Sequence, residues 1–180
     1  MRGGNAPAVV KLLTSLLTAA ILLPAAAAAA PAAAPAPTCT HSQLRVTRGP
    51  AQGTAGHFHW PIRFRNTSAT ACSLRGFPAV RSTRAGQLIG AAASRDHAVR
   101  ARTIRLAAHG GVASAVFTQT DVGVFDPSQC HPRLATGLRV KAPGETSAFA
   151  VALRHRVCTT TPPGGSDSTI RAVVRGTTGL

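Results

Sequence analysis

The sequence predicts an all-β fold, specifically an antiparallel immunoglobulin-like β-sandwich with two disulfides. Three observations predict it: windows of apolar/polar alternation, turn residues recurring between those windows, and four cysteines without any Cys-x-x-Cys spacing. Few windows sustain an apolar period of 3.6 beyond the N-terminus, and no internal repeat is visible.

The N-terminus stands apart from this pattern. Arg2 and Lys11 precede an apolar run from Leu12 to Leu23 that is bounded by Pro24. The run is shorter than the roughly 20 residues a membrane helix needs, and the alanines from Ala25 to Ala30 offer Ala-x-Ala cleavage sites, so residues 1–30 read as a secretory signal peptide. No transmembrane segment is expected after its removal. Residues 31–38, rich in Ala and Pro, read as a disordered leader, and residues 39–176 as a single secreted domain. Pro37 and Thr38 before Cys39 do not make a lipidation box, which argues against a lipid anchor.

The strands follow in order. Gln43 to Arg48 alternates, and in His57 to Arg65 the residues Phe58, Trp60, Ile62 and Phe64 share one parity while His57, His59, Arg63 and Arg65 share the other. Pro61 removes a ladder donor and calls for an edge strand or a bulge. Further strands are expected at Phe77 to Thr83, Gln87 to Ala91, Val99 to Ala107, Val112 to Gln119, Gly137 to Ala142, Thr146 to Arg154 and Thr169 to Arg175, separated by Gly49-Pro50, Ala85-Gly86, His109-Gly110-Gly111 and Pro143-Gly144. The alanines between Gly86 and Ala108 support a rival reading of that stretch as a helical insertion.

Four cysteines allow three pairings. Antiparallel pairing of the first two strands brings Cys39 and Cys72 to one end of a hairpin, and the hairpin turning at Ala142-Pro143-Gly144-Glu145 does the same for Cys130 and Cys158. All four are therefore expected in structural disulfides, as export to an oxidising compartment favours.

Charge sets the expected behaviour. Without Arg2 and Lys11, 18 basic side chains against 5 acidic ones leave the exported chain at +13. Such a field attracts anionic cell-envelope polymers or lipid head groups with an affinity that salt weakens. Arginines scattered through nearly every segment also fit plain compositional bias. The expected polyanion contacts are Arg63 and Arg65 on the wet face of the second strand, and Arg133, Arg154 and Arg156 beside the loops Thr120 to Arg133 and Thr159 to Thr169. The oligomeric state is left open.

Catalytic and metal motifs are absent from the sequence beyond the signal peptide: there is no Gly-x-Ser-x-Gly, Ser-x-x-Lys or His-Glu-x-x-His. His57 and His59 could share a cation with His41, His97, His109, His131 or His155, yet Arg63 and Arg65 lie on the same face and no acidic cluster accompanies them. The carboxylates Asp96, Asp121, Asp126, Glu145 and Asp167 fall in or beside expected loops, where they form turns or pair with arginine. No catalytic residue, metal ligand or cofactor is assigned. The alternative is an exported metal-binding protein or hydrolase with a site built from scattered His, Asp and Ser. Aromatics amount to 4% of residues, too few for a stacking platform, and no specific nucleic-acid module is present.

The order Cys39, Leu44-x-Val46, Asn66-Thr67-x(4)-Cys72-x-Leu74-x-Gly76-Phe77-Pro78, then "LAAHGGVASAVF", "GLRVKAPG" and a last cysteine resembles the domain of unknown function 4232 family, over roughly Cys39 to Arg175. The resemblance implies an exported β-rich domain of the kind found in secreted proteins and lipoproteins of actinobacteria, and it implies no activity. The family usually carries tyrosine before the proline; this chain has Phe77. The expected function is that of a secreted, non-catalytic, cell-envelope-associated binding domain.

Overall fold

The computed structural model describes residues 34–180, so the expected signal peptide lies outside the described residues. Its strands are β1 (Leu44–Arg48), β2 (Gln52–Thr54), β3 (His57–Asn66), β4 (Cys72–Arg75), β5 (Ala79–Arg84), β6 (Gln87–Ala92), β7 (Ser94–Asp96), β8 (Thr103–Leu106), β9 (Val112–Thr120), β10 (Pro132–Lys141), β11 (Ala148–Cys158), β12 (Ser168–Arg171) and β13 (Val174–Arg175), with one short helix, α1 (Pro127–Cys130). A seven-stranded sheet runs β1-β3-β9-β12-β7, with β2 also on β3 and β13 also on β9; a four-stranded sheet runs β11-β10-β5-β6; β4 and β8 form a separate pair.

Alternation is what makes these sheets pack. Trp60, Ile62 and Phe64 of β3 and Phe117 of β9 point to one side and meet Val80, Leu138, Val140, Val151 and Leu153 of the other sheet in one core. Burying each large side chain there contributes about 2 kcal/mol. The two sheets thus form a sandwich.

One pair departs from the antiparallel expectation: β7 runs parallel to β12. The chain passes from β6 to β7 through Ala93 alone, whose N–H donates to Val80 O at 2.9 Å, so β7 inherits its direction from a strand of the opposite sheet. The sheets are mixed.

Pro61 does not mark an edge strand. It lies within β3, which is flanked by β9 on one side and by β1 and β2 on the other. Pro61 O accepts from Gly49 N at 2.8 Å, which places its missing donor at the break between β1 and β2. The ladder loses nothing there because no strand runs opposite.

The helical alternative for Gly86 to Ala108 is overturned by β6, β7 and β8. Gly90, at φ +66°, and the β-branched Ile89, Thr103 and Ile104 suit extended chain better than helix. The β2, β4 and β7 strands were not expected, because three or four residues cannot display a period. Nor is all of the stretch read as leader apart from the sheets: Ser73 N–H donates to Pro37 O at 2.7 Å and Cys39 N–H to Ser73 O at 2.9 Å, holding Pro37 and Thr38 beside β4.

Both disulfides join the expected cysteines, Cys39 to Cys72 and Cys130 to Cys158. A bulge between Ala135 and Gly137 lets β10 and β11 stay paired as far as Pro132 and Cys158, which brings the second bridge to the hairpin's open end.

Candidate functional site

Carboxylates decide where positive charge is left free. Asp96 Oδ2 accepts from Arg171 Nε at 2.8 Å, the ion pair found among the described residues, and that contact holds Asp96 below the usual carboxylate range. Asp121 accepts from Gly123 N at 2.9 Å, and Asp126 from Ser128 N and Oγ at 2.8 and 2.7 Å, which lowers its pKa also. Asp167 is buried and accepts from Gln119 Nε2 and Cys158 N at 2.9 and 2.7 Å. Asp96, Asp121 and Asp126 thus take the expected turn and pairing roles, whereas Asp167 is a buried acceptor for a side-chain amide and a strand-end N–H.

The outer face of the four-stranded sheet has no such partner. Arg81 on β5 and Arg139 on β10 are direct cross-strand partners, and both are exposed. Lys141, two residues along β10, and Arg95 after the crossover complete a shallow concavity of about 450 Å³ walled by Phe77. Arg81 Nε donates to Gly90 O at 2.8 Å, which fixes its stem. Arg95 lies 5.6 Å over the Phe77 ring, and His97 packs against that ring at 4.8 Å. Phe77 therefore orients a cation through its ring face, a task for which the tyrosine hydroxyl is not needed.

The arginines expected from the sequence fall in three places. Arg63 is half-buried, and its Nε donates to Thr177 O at 2.9 Å under the C-terminal segment. Arg65 is exposed and opposite Arg45, in a depression of about 600 Å³ shared with Thr47, Thr67 and His109. Arg154 and Arg156 sit at a groove with Phe58 and Trp60, whereas Arg133 is exposed on β10 apart from these cavities. Sequence reading missed Arg81, Arg95, Arg139 and Lys141. Their outward parity was readable, but their neighbours follow from the register of β5 on β10.

The two long loops do meet: Thr159 N–H donates to Cys130 O at 2.9 Å, and Thr159 Oγ1 to His131 O at 2.8 Å. The histidines do not gather. His59 uses both ring nitrogens on Thr54 and Thr118 hydroxyls, at 3.1 and 2.8 Å, and burial with His57 and Arg171 nearby lowers its pKa. His41 stacks on Phe149 at 4.0 Å. Among the described residues no three metal-ligating side chains converge.

Among the described residues one Ser–His contact is found, between Ser82 Oγ and His155 Nε2 at 2.9 Å. Both residues are buried, and the other ring nitrogen of His155 faces Leu153 O at 3.4 Å rather than a carboxylate. Asp167, engaged with Gln119 and Cys158, does not complete a triad.

Fold and surface together define a two-disulfide β-sandwich domain with basic outer faces. The profile described as Domain of unknown function (DUF4232) matches residues 39–174, which take in both disulfides and the Asn66 to Pro78 signature, and the chain belongs to that family. No curated protein and no solved structure matches it.

Proposed function

We propose that this chain is an exported, non-catalytic binding domain that associates with anionic polymers or lipid head groups of the cell envelope through its basic sheet faces. The observation that carries the reading is the Arg81–Arg139 pair with Lys141 and Arg95 beside it. Like charges placed opposite each other on a sheet are unfavourable, and the described carboxylates with side-chain partners are engaged elsewhere. An anion bound between these cations would remove the repulsion. Two cross-strand arginine pairs, Arg45–Arg65 being the second, give the protein two such faces.

The disulfides and the family's membership support the exported setting, and no helix among the described residues is long and apolar enough to cross a membrane. The test is binding of the oxidised protein to isolated envelope material, to polyphosphate and to phosphatidylglycerol vesicles across a salt series. Binding that weakens with salt, and whose slope drops by about one for each of Arg81 and Arg139 changed to glutamine, is expected. Absence of binding at low salt, or an unaltered slope in the double variant, would reject the proposal.

A further inference from the structure

A second cavity, sharing no lining residue with the basic concavity, opens between β3, β9 and β11. Its volume is about 300 Å³, at the lower end for small-molecule sites. Phe58 shares the parity of the buried Trp60, Ile62 and Phe64 on β3, yet it is 43% exposed. One ring face rests on Trp60 at 6.0 Å, and Trp60 rests in turn on Phe117 at 6.0 Å. An aromatic stack thus runs from the core to solvent and ends in an uncovered ring.

Cations outnumber acids among the residues that line this groove. Arg154 and Arg156 are exposed at the rim, and the acid lining the groove, Asp121, is already engaged with Gly123 N. On the wall, the buried Gln119 shares the two Nε2 hydrogens among Thr120 O, Asp167 O and Asp167 Oδ2, and both Gln119 Oε1 and Asp167 Oδ1 stay buried without a partner, out of reach of the groove.

From this we infer that the groove is a binding site for a small aryl carboxylate, its ring on Phe58 and its anion held by Arg154 and Arg156. The arginine fork suits a carboxylate, and the exposed ring supplies the apolar contact that a polyanion chain would not use. This inference does not rest on the envelope-binding proposal, which is carried by Arg81, Arg139, Lys141 and Arg95.

The probe is para-hydroxyphenylpropionate, titrated into the full oxidised protein while the emission of Trp60, the chain's one tryptophan, is followed. Saturable change is expected, with propionate, which lacks the ring, and para-hydroxyphenylpropanol, which lacks the charge, each binding about tenfold weaker or worse. Phe58→Ala and the pair Arg154→Gln with Arg156→Gln should each weaken the probe by a similar factor, while Arg81→Gln with Arg139→Gln leaves it unchanged. Should Phe58→Ala fail to fold, Phe58→Leu replaces it, and the exposed arginine variants test the anion contact independently. A flat titration would overturn the inference, as would equal affinity for propionate or equal loss in the Arg81 and Arg139 variant. Trp60 emission that follows protein concentration instead of probe would overturn it in favour of a second copy of the chain.

Discussion

Arg81 and Arg139 face each other across an antiparallel ladder, one guanidinium stem opposite the other, with Lys141 two residues along the same strand. The core beneath them is sound: Val80 and Val140, their immediate neighbours, are register partners buried on the opposite side. The sheet therefore holds two repelling charges in place by packing that does not depend on them.

Removing one of these charges should stabilise the protein. Arg139→Gln is expected to raise the denaturant midpoint at low salt by the equivalent of about 0.5 kcal/mol, with the gain disappearing in high salt as screening removes the repulsion. The same variant should bind polyphosphate more weakly. A loss of stability at low salt would show that Arg139 contributes through its stem and not its charge.

His155 makes stability depend on pH. Burial against Trp60 and Phe117 holds its pKa below the ordinary value of 6.5, so the unfolded chain takes up a proton that the folded one resists. Stability is then full above the unfolded value and falls as pH drops below it toward the folded value, at no more than about 1.4 kcal/mol per pH unit for one group. Urea midpoints between neutral and mildly acidic pH should show this slope. His155→Gln should flatten it; an unchanged slope in that variant would assign the effect to His59, whose pKa is lowered in the same direction.

The disulfides close loops of 33 and 28 residues. On the chain-entropy account each contributes about 3.5 kcal/mol. Replacing Cys39 and Cys72 together with alanine should lower stability by that order, and the Cys130 and Cys158 pair likewise. Partial proteolysis should then start near whichever hairpin end was released: at Ala36–Thr38 in the first case, and in the loop containing α1 in the second.

Asn66 illustrates what the family signature is for. Its Nδ2 donates to Thr70 O and Ala107 O at 2.7 and 3.1 Å, while Oδ1 accepts from Ser68 N and Oγ at 3.0 and 2.8 Å. The side chain is fully buried and staples the connection before Cys72 to the end of β8. Asn66→Ala should cost about 3 kcal/mol in chemical denaturation, since it strands two carbonyls and an amide. Asn66→Asp should cost at least as much, because a carboxylate would face those same carbonyls. The Asn66 side-chain nitrogen is thus already in use within the fold.

Much of the fold was legible in the chain. The parity of Trp60, Ile62 and Phe64 gave the inner face of β3, Pro143-Gly144 gave the β10–β11 turn, and the two hairpins gave both disulfides, because alternation and turn chemistry act within a few residues. The parallel β7 and the open position of Phe58 were not legible, whereas Pro61 was read as marking an edge strand or a bulge, and β1 and β2 do pair with β3 in registers one residue apart on either side of it. Each depends on what lies opposite: β12 for β7, and the open groove between β3, β9 and β11 for Phe58.

The candidate sites divide along the same line. Sequence supplied the excess of arginine and selected Arg65, Arg154 and Arg156, which do face solvent near cavities. It could not select Arg81, Arg95, Arg139 and Lys141, spread over 60 residues of chain. By itself the sequence determined the strand pattern, the bridges and the sign of the charge, all properties of local spacing and composition. Which cations stand together, and which carboxylates are spent elsewhere, was decided only by tertiary structure. Coulomb interactions depend on distance through space, and sheet register, not chain order, sets that distance.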